Sequence, residues 1–277
     1  MEHHSGVRHD GGRRQHGDSE PHGGEDGGRG PRGGRTVLVT GGGTGIGRAT
    51  ALAFAAEGAK VVVVGRRLGP LRETSAADPR ITALAGDLTA EGEPERIVRR
   101  VLEAHGRLDV LVNNAAVVRG GPLGSLGAET IGPQLATNLV APVLLTEAVL
   151  PALEASGGVI VNVSTSVGQR AWPGSSVYAA TKAALESLTR SWAVELAPRG
   201  IRVVAVAPGA VETPIGDHQG LSAERQAAVR AWQVAHTPLG RIGQPAEVAW
   251  AITRLAGAEA SFVTGAVLAV DGGAVVA

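Results

Sequence analysis

Short apolar runs recur along most of this chain, separated by longer stretches in which apolar and polar residues follow a helical period. Seven of the runs are almost continuously apolar, rich in valine, and only four to six residues long. Buried parallel strands have this composition because both of their faces are covered. The predicted strands are Thr36–Thr40, Lys60–Val64, Ile81–Ala85, Leu108–Val112, Val159–Val163, Ile201–Val206 and Val267–Val270.

Stretches rich in alanine and leucine lie between these strands and predict helices near residues 46–57, 92–105, 131–154, 176–197 and 245–256. Parallel strands need crossover connections, and helical crossovers cover both faces of the sheet. The pattern therefore predicts an α/β fold, a doubly wound parallel sheet (Rossmann fold) of about seven strands with helices on both faces. We expect it to form a single domain over residues 35–277.

The first 34 residues differ in composition, because Gly, His, Arg, Asp and Glu dominate them. Such a segment cannot bury enough apolar surface to offset the entropy of ordering it, so residues 1–34 are predicted to be a disordered tail. Five of the eight histidines lie there, scattered rather than at the spacing of metal ligands. No metal site is predicted.

Composition narrows the possible function classes. The formal net charge is +0, so no basic excess indicates a nucleic-acid partner. The chain has no cysteine, which excludes disulfides, thiolate metal sites and cysteine nucleophiles and fits a reducing compartment. Apolar runs such as 61–64 and 201–206 are far shorter than the ~20 residues that span a bilayer. We expect a cytoplasmic protein without a membrane partner.

A glycine-rich segment, Thr-Gly-Gly-Gly-Thr-Gly-Ile-Gly at residues 40–47, follows the first predicted strand directly. Glycines allow the backbone to turn tightly and to approach a pyrophosphate, whose charge is met by free amides and the helix dipole. Its place between a valine-rich strand and an amphipathic helix predicts a dinucleotide site rather than a merely structural turn. The predicted contacts are Gly41, Gly43, Thr44, Gly45, Ile46 and Gly47.

The only tyrosine of the chain, Tyr178, lies four residues before Lys182, one of only two lysines. On a helix this spacing places the phenol and the ammonium on one face. A nearby cation favours phenolate, so we expect the pKa of Tyr178 to fall from near ~10 towards 7. The two residues, called the Tyr–Lys pair below, would then form a proton donor and acceptor.

Further motifs follow in order: Gly86-Asp87-Leu88, Asn113-Asn114-Ala115-Ala116, the segment Ser164 to Lys182, Pro208-Gly209 through Thr213, and Val270-Asp271-Gly272-Gly273. Over residues 36–273 the chain thereby resembles the short-chain dehydrogenase/reductase family, and 3-oxoacyl-acyl-carrier-protein reductases and related ketoreductases within it. The resemblance implies these cofactor contacts: Asp87 on the adenine; Leu88, Asn114, Ala115 and Ala116 on the adenine-ribose side; Pro208, Gly209, Val211 and Thr213 on the nicotinamide side; and Lys182, beside Tyr178, on the nicotinamide ribose.

The resemblance also implies a hydroxyl thirteen residues before the tyrosine that holds the substrate oxygen. That residue is Thr165 here, where the family has serine. A threonine hydroxyl donates the same hydrogen bond, although its β-branching restricts the rotamer. Alternatively Thr165 caps the strand end, and Ser164 or Ser166 acts instead. Asn138 is implied to anchor a water that passes protons to Lys182, or else it is a packing polar group.

Two positions depart from the family pattern. Ala116 replaces the last glycine of Asn-Asn-Ala-Gly, and Val204 replaces a frequent asparagine. Neither touches the proton-transfer group, so these departures bear on fine geometry rather than on reaction class.

The choice of cofactor depends on the end of the second strand, where an acidic residue would bind a ribose 2′-hydroxyl. Here the strand ends in Gly65-Arg66-Arg67. Two guanidiniums and no carboxylate favour NADP(H) over NAD(H), because guanidinium binds phosphate bidentately. The alternatives are that both arginines are solvated and that the protein is an NAD(H)-dependent alcohol dehydrogenase, since Thr44 adds no second basic residue in the glycine loop.

Residues 212–240 correspond to the segment from which the family builds its substrate lid. An amphipathic stretch from Ala223 to Val234 lies within it, and we expect its apolar residues to face inward and its cationic residues outward. This indicates a largely uncharged, partly hydrophobic ketone as substrate. Trp172 and Trp232 either contact the substrate or simply pack.

Together these features predict an NADP(H)-dependent oxidoreductase that interconverts a ketone and a secondary alcohol by hydride transfer, with Tyr178 as proton donor and acceptor. The alternatives are a non-catalytic dinucleotide-binding regulator on the same fold and an enzyme of different outcome, such as a dehydratase or epimerase. The complete Tyr–Lys pair argues against the regulator. The resemblance implies a homotetramer or homodimer, with the helices near 131–154 and 176–197 at one interface.

Overall fold

Seven strands form one parallel sheet in the order β3-β2-β1-β4-β5-β6-β7, which confirms the predicted doubly wound fold. The computed structural model describes Met1 and residues 34–169, 174–214 and 222–276. The predicted disorder of the tail and the role of Trp172 therefore lie outside the described residues. The strands are β1 Thr36–Thr40, β2 Lys60–Gly65, β3 Ile81–Ala85, β4 Val110–Asn113, β5 Val159–Val163, β6 Arg202–Pro208 and β7 Val267–Val270.

Strand residues alternate between two hydrophobic clusters, one on each face of the sheet. Val37 and Val39 belong to one cluster, whereas Leu38 between them belongs to the other. Successive side chains of a strand point to opposite faces, so a continuously apolar strand supplies both layers. This explains why the strands lack the polar alternation of a half-exposed sheet.

Helices cover both faces, as predicted. They are α1 Gly45–Ala56, α2 Leu68–Ala76, α3 Glu93–His105, α4 Ala128–Leu135, α5 Ala141–Ser156, α6 Ser176–Leu196, α7 Ala223–Ala235 and α8 Pro245–Ala256. The sequence analysis did not predict α2, which contains Gly69 and Pro70. Both residues lie in its first turn, where a missing N–H leaves no helical hydrogen bond unmade.

The helix predicted over 131–154 consists of α4 and α5 joined by a π-helical segment, Ala136–Val140. Pro142 has no N–H for the carbonyl of residue 138, and the Ala141 N–H bonds to the Ala136 carbonyl five residues earlier. The widened turn places Asn138 inside the protein.

Residues 128–156 form a helix that is long and apolar enough to cross a membrane, judged by length and composition alone. The expectation that every apolar stretch is strand-sized was therefore wrong for this segment. Leu145, Val149 and Leu153 are fully buried in the hydrophobic cluster on one face of the sheet. One side of the helix therefore belongs to the core, whereas Leu135, Val140 and Leu144 are exposed on the other.

Candidate active site

A cleft of about 1410 Å³ lies at the carboxyl ends of the strands. The strand order reverses between β1 and β4, and ligands bind such sheets at this switch point. Every residue predicted to contact the cofactor lines the cleft, and so do Thr165 and Trp232. Ser164 lines it too, as do residues to which the sequence analysis gave no role, among them Thr89, Val117, Val118, Thr137, Ser175, Glu212, Gln226, Gln233 and Ile242.

The glycine loop packs too closely to accept side chains. Gly41 and Gly45 have φ angles of +65° and +52°, in the left-handed region that favours glycine. A Cβ at Gly47 would lie 2.3 Å from the Gly41 carbonyl oxygen. The loop ends at Thr44, the N-cap of α1, whose side chain makes no capping hydrogen bond. Unpaired amides at this helix start form a cradle that fits a pyrophosphate.

Two polar side chains fix the loop to the end of β4. Thr40 Oγ1 donates to the Val112 carbonyl at 3.2 Å and accepts from the backbone N–H groups of Asn114 and Ala115 at 2.9 and 3.0 Å. Asn114 Nδ2 donates to the Thr40 carbonyl at 2.8 Å. The two walls of the cofactor cleft are therefore held together by direct hydrogen bonds.

The far end of the cleft combines an aspartate with two arginines. Asp87 Oδ1 accepts hydrogen bonds from the Thr89 hydroxyl at 2.7 Å and the Thr89 amide at 3.1 Å. These bonds hold the pKa of Asp87 below its usual value, and the nearby Arg66 guanidinium adds to the effect. Arg66 and Arg67 are exposed and line the cleft directly after β2. This end can therefore receive an adenosine and an anionic substituent.

Tyr178 and Thr165 are hydrogen-bonded to each other through their side chains at the wall of the cleft. Burial raises the pKa of Tyr178 to about 12, and the bond to Thr165 only partly opposes this. The expected fall towards 7 is therefore not found in this structure. The reason is that desolvation of the phenol is the largest effect and only the hydrogen bond with Thr165 opposes it. At neutral pH the phenol is protonated and can act as a donor.

Lys182 is almost completely buried and donates from Nζ to the Val163 carbonyl at 2.7 Å. Burial lowers the pKa of Lys182 to about 8, because the ammonium has lost water without gaining a carboxylate partner at this bond. The ammonium can consequently exchange a proton close to neutral pH. Helix α6 carries both members of the Tyr–Lys pair, as predicted.

The two serines beside Thr165 have different surroundings from the threonine. Ser164 Oγ donates to Glu186 Oε1 at 2.7 Å, so its hydroxyl faces α6. Ser166 is buried at the start of a 3₁₀ turn, Ser166–Gln169. Ser164 and Thr165 both line the cleft, but Thr165 is the one that is hydrogen-bonded to Tyr178, and its hydroxyl also donates to the Pro208 carbonyl at 3.4 Å. Thr165 is therefore better placed for a substrate oxygen than either serine.

Asn138 lies behind the cleft rather than in its wall. Its Oδ1 accepts from the Val117 amide at 2.8 Å, and its Nδ2 donates to the Val117 carbonyl at 2.9 Å and to Thr181 Oγ1 at 3.2 Å. The Thr181 hydroxyl donates to the Tyr178 carbonyl at 2.7 Å. The asparagine side chain thus joins the loop that follows β4 to the first turns of α6, which favours the packing role among the two roles considered.

The side of the cleft where the resemblance implies the nicotinamide is built by the segment that follows β6. Val211 pairs with Gly243 in an isolated parallel bridge, and the Glu212 amide donates to the Gly243 carbonyl at 2.9 Å. Thr213 approaches the glycine loop, where a Cβ on Gly45 would lie 3.0 Å from Thr213 Cγ2. The segment therefore crosses from the sheet to the glycine loop and closes that side of the cleft.

Helix α7 forms the described part of the lid and has no buried residue. Arg230 lines the cleft and makes a bidentate ion pair with Glu212, with Nη1–Oε1 at 2.8 Å and Nη2–Oε2 at 2.5 Å. Both side chains of this ion pair remain about half exposed, so Arg230 lies at the open rim of the cleft. Trp232 also lines the cleft, and its ring stacks on His236 at 3.9 Å.

Comparison with known proteins identifies the family. The model of a family described as enoyl-(acyl carrier protein) reductase matches residues 41–275. A 3-oxoacyl-[acyl-carrier-protein] reductase of Thermotoga maritima is 39% identical over 247 residues, which cover 87% of this chain and 98% of that protein. This chain belongs to the short-chain dehydrogenase/reductase family. It is accordingly an oxidoreductase that acts on CH–OH donors and binds a nicotinamide dinucleotide.

Two further relatives of this short-chain dehydrogenase/reductase show the range of its neighbours. A cis-4-hydroxycyclohexanecarboxylate dehydrogenase of Sinomonas cyclohexanicum is 41% identical over 244 residues, covering 86% of this chain and 96% of that protein. The structure of a 3-ketoacyl-(acyl-carrier-protein) reductase of Brucella melitensis, complexed with NADH, has a TM-score of 0.82 and 32% identity. It covers 87% of this chain and 98% of that chain.

The two departures from the family pattern fit without distortion in this dehydrogenase/reductase. Ala116 is half-buried and lines the cleft beside Ala115. Val204 is fully buried in one hydrophobic cluster, where an apolar side chain replaces a polar strand contact. Among the described residues no group of three or more His, Cys, Asp or Glu side chains could hold a metal ion.

Proposed function

We propose that this short-chain dehydrogenase/reductase is an NADP(H)-dependent ketoreductase that interconverts a ketone and a secondary alcohol, with Tyr178 as proton donor and acceptor. The observation that carries the proposal is the hydrogen-bonded pair of Thr165 and Tyr178 in the wall of the same cleft that the glycine loop forms. Two hydroxyl donors that converge beside a dinucleotide cradle can polarise a carbonyl oxygen and then protonate it.

The bound nicotinamide supplies or accepts the hydride at the substrate carbon. In reduction, the Thr165 hydroxyl donates a hydrogen bond to the carbonyl oxygen, and Tyr178 transfers its proton to that oxygen. The raised pKa of Tyr178 keeps the phenol protonated at neutral pH, which favours reduction there. Lys182 has a lowered pKa, so its ammonium can return a proton towards the phenol after turnover.

The preference for NADP(H) is supported by the residues that follow β2. Gly65 occupies the position at which a carboxylate would bind a ribose 2′-hydroxyl, and Arg66 and Arg67 line the cleft beside it. A 2′-phosphate would gain charge-assisted hydrogen bonds from guanidiniums at this place. Asp87, which Arg66 already faces, would limit the gain from that arginine.

For the substrate, we propose a largely uncharged, partly hydrophobic ketone. The lid side of the cleft presents Trp232, Val229 and Ala227, and the charge of Arg230 is balanced by Glu212. A carboxylated ketone would meet the Glu212 carboxylate as well as the arginine. The Sinomonas relative is named for a carboxylated substrate. A comparison of carboxylated and uncharged ketones therefore tests this proposal directly.

The decisive experiment is a substrate panel followed at the absorbance of reduced nicotinamide. The panel contains cyclic and linear ketones, secondary alcohols and an enoyl thioester. Each ketone and each alcohol is paired with a carboxylated analogue. Ketones and the thioester are assayed with NADPH and with NADH, and alcohols with the two oxidised cofactors. Ketone reduction that is lost by roughly 10²–10⁴-fold in Tyr178→Phe, with cofactor affinity kept, supports the proposal. Reduction of the enoyl thioester alone, or near wild-type turnover in Tyr178→Phe, would refute it.

We further propose a cytoplasmic homotetramer, or a homodimer, that uses the outer faces of α5 and α6. Leu144 on α5 and Val194 on α6 are exposed, the latter by 77%. Large apolar side chains on the surface of two neighbouring helices fit a subunit interface. Light scattering measures the mass, and Val194→Glu should shift it towards the monomer.

A further inference from the structure

A buried carboxylate without a role in the proposed chemistry lies on the helix of the Tyr–Lys pair. Glu186 is only 7% exposed and follows Lys182 by four residues on α6. Tyr178, Lys182 and Glu186 therefore form one stripe along the helix. Two side chains donate to the same oxygen, Glu186 Oε1: Ser164 Oγ at 2.7 Å and Gln169 Nε2 at 3.1 Å.

The two donors lie on either side of Thr165 in the chain. Ser164 precedes Thr165 directly, and its backbone N–H also donates to the Val206 carbonyl at 2.8 Å. Gln169 ends the 3₁₀ turn that follows Thr165. The segment 164–169, called the Thr165 turn below, is thus attached at both ends to a single carboxylate on α6.

This arrangement closes a circuit of contacts. The Thr165 turn is bound to α6 at Glu186, and Thr165 itself is bound to Tyr178 two turns earlier on the same helix. Both donors, Ser164 Oγ and Gln169 Nε2, lose their shared acceptor if the turn moves away from the helix. A buried carboxylate also requires its donors, so it strongly disfavours any movement of the turn away from the helix.

We propose that Glu186 is a positioning residue that holds the Thr165 turn against α6 and thereby sets the contact between Thr165 and Tyr178. Its effect on turnover rests on the proposed function, whereas its effect on the contact itself does not. Glu186 does not line the cleft in the structure, so it acts through Ser164 and Gln169 rather than on the substrate.

Three substitutions in the full chain test the proposal. Glu186→Leu removes the acceptor, whereas Glu186→Gln keeps an acceptor oxygen and removes only the charge. Glu195→Leu is the matched control, because Glu195 is an exposed carboxylate on the same helix. We expect Glu186→Leu to lower kcat on the order of 10²-fold, as an ångström-scale misplacement does, without weakening cofactor binding. Glu186→Gln should keep most of the turnover, and Glu195→Leu all of it.

A second readout needs no substrate. Since Tyr178 is the only tyrosine, ultraviolet absorbance of tyrosinate reports its ionisation directly. Loss of the hydrogen bond with Thr165 should raise the pKa of Tyr178 further in Glu186→Leu, because that bond is what opposes the effect of burial. Loss of the negative charge alone would lower that pKa, so the sign separates positioning from charge, and Glu186→Gln should show no rise. If Glu186→Leu does not fold, Ser164→Ala detaches one end of the turn and should produce the same rise.

The outcomes are distinct. Unchanged kcat and an unchanged or lowered tyrosine pKa in Glu186→Leu would overturn the proposal. Equal damage from Glu186→Gln and Glu186→Leu would also overturn it, because charge rather than acceptance would then be what matters. If the wild type reduces no ketone, the proposed function fails, while the tyrosine titration still decides whether Glu186 positions the Thr165 turn.

Discussion

The buried ammonium of Lys182 should make the protein less stable at neutral pH than at mildly alkaline pH. Its pKa is 10.5 in an ordinary environment and about 8 in the folded structure. Between these two values the unfolded chain binds more protons than the folded protein, so the free energy of unfolding rises with pH. At 1.36 kcal/mol for each pKa unit, the charged lysine destabilises the fold by about 3 kcal/mol near neutrality.

Replacing Lys182 by methionine removes this penalty along with activity. The substitution also leaves the Val163 carbonyl without its 2.7 Å donor, which costs about 1–3 kcal/mol at any pH. The net change at one pH is therefore small. Between roughly pH 7 and pH 9.5, however, the unfolding free energy of wild type should rise by about 2 kcal/mol relative to that of Lys182→Met.

Urea unfolding followed by tryptophan fluorescence at fixed protein concentration measures this difference. The titration must stop below pH 10, because the raised pKa of Tyr178 stabilises the fold below that value and its contribution is lost as pH rises towards 12. The other lysine provides the control for the substitution itself: Lys60 is exposed, so Lys60→Met removes an ammonium that is not buried. A Lys182→Met difference that does not vary with pH would refute the reasoning.

Three further predictions concern the cleft. Replacing Arg66 and Arg67 together by alanine should weaken NADPH by about 1.5–3 kcal/mol per lost charged hydrogen bond and leave NADH nearly unchanged in a fluorescence titration; equal losses would show that the arginines do not discriminate. Thr165→Ala should reduce kcat severely and Thr165→Ser should restore it, unless a neighbouring serine is the true donor. Glu212→Gln should accelerate hydrogen exchange in α7, because the ion pair of Glu212 with Arg230 links this helix to the segment after β6. Added salt should then change the exchange rate less in the variant than in wild type. Unchanged exchange would mean that other contacts hold the lid.

The strands and most helices follow from the sequence because each buried element has an apolar pattern of its own. Helix α2 was missed because the pair Gly69-Pro70 is typical of a turn. A helix accepts these two residues here only because they lie in its first turn. The π-helical segment 136–140 has no pattern that distinguishes it from a regular helix. Local sequence therefore predicts where an element lies better than how it ends or bends.

The candidate site divides in the same way. The cofactor-lining residues follow from ordered motifs, and counting back from Tyr178 selected Thr165 over its neighbours. The direction of the Tyr178 pKa could not be predicted, because spacing shows that a cation is near but not how much water the phenol loses. The ion pair of Arg230 depends on Glu212, eighteen residues away, and the proposed role of Glu186 depends on two residues of another segment. Such pairings arise only in the folded chain.

The central place of β1 in the sheet has a consequence for biosynthesis. One edge of β1 pairs with β2, the next strand in the chain, whereas the other edge pairs with β4. The Thr36 amide donates to the Asp109 carboxylate, 73 residues later in the chain. At about 5–20 residues per second, the ribosome needs roughly 4–15 s to deliver that partner. During this interval a valine-rich strand edge has no neighbour, and an open edge of this kind recruits other chains. The nascent protein should therefore depend on chaperones, and slower translation between β2 and β4 should lower its soluble yield.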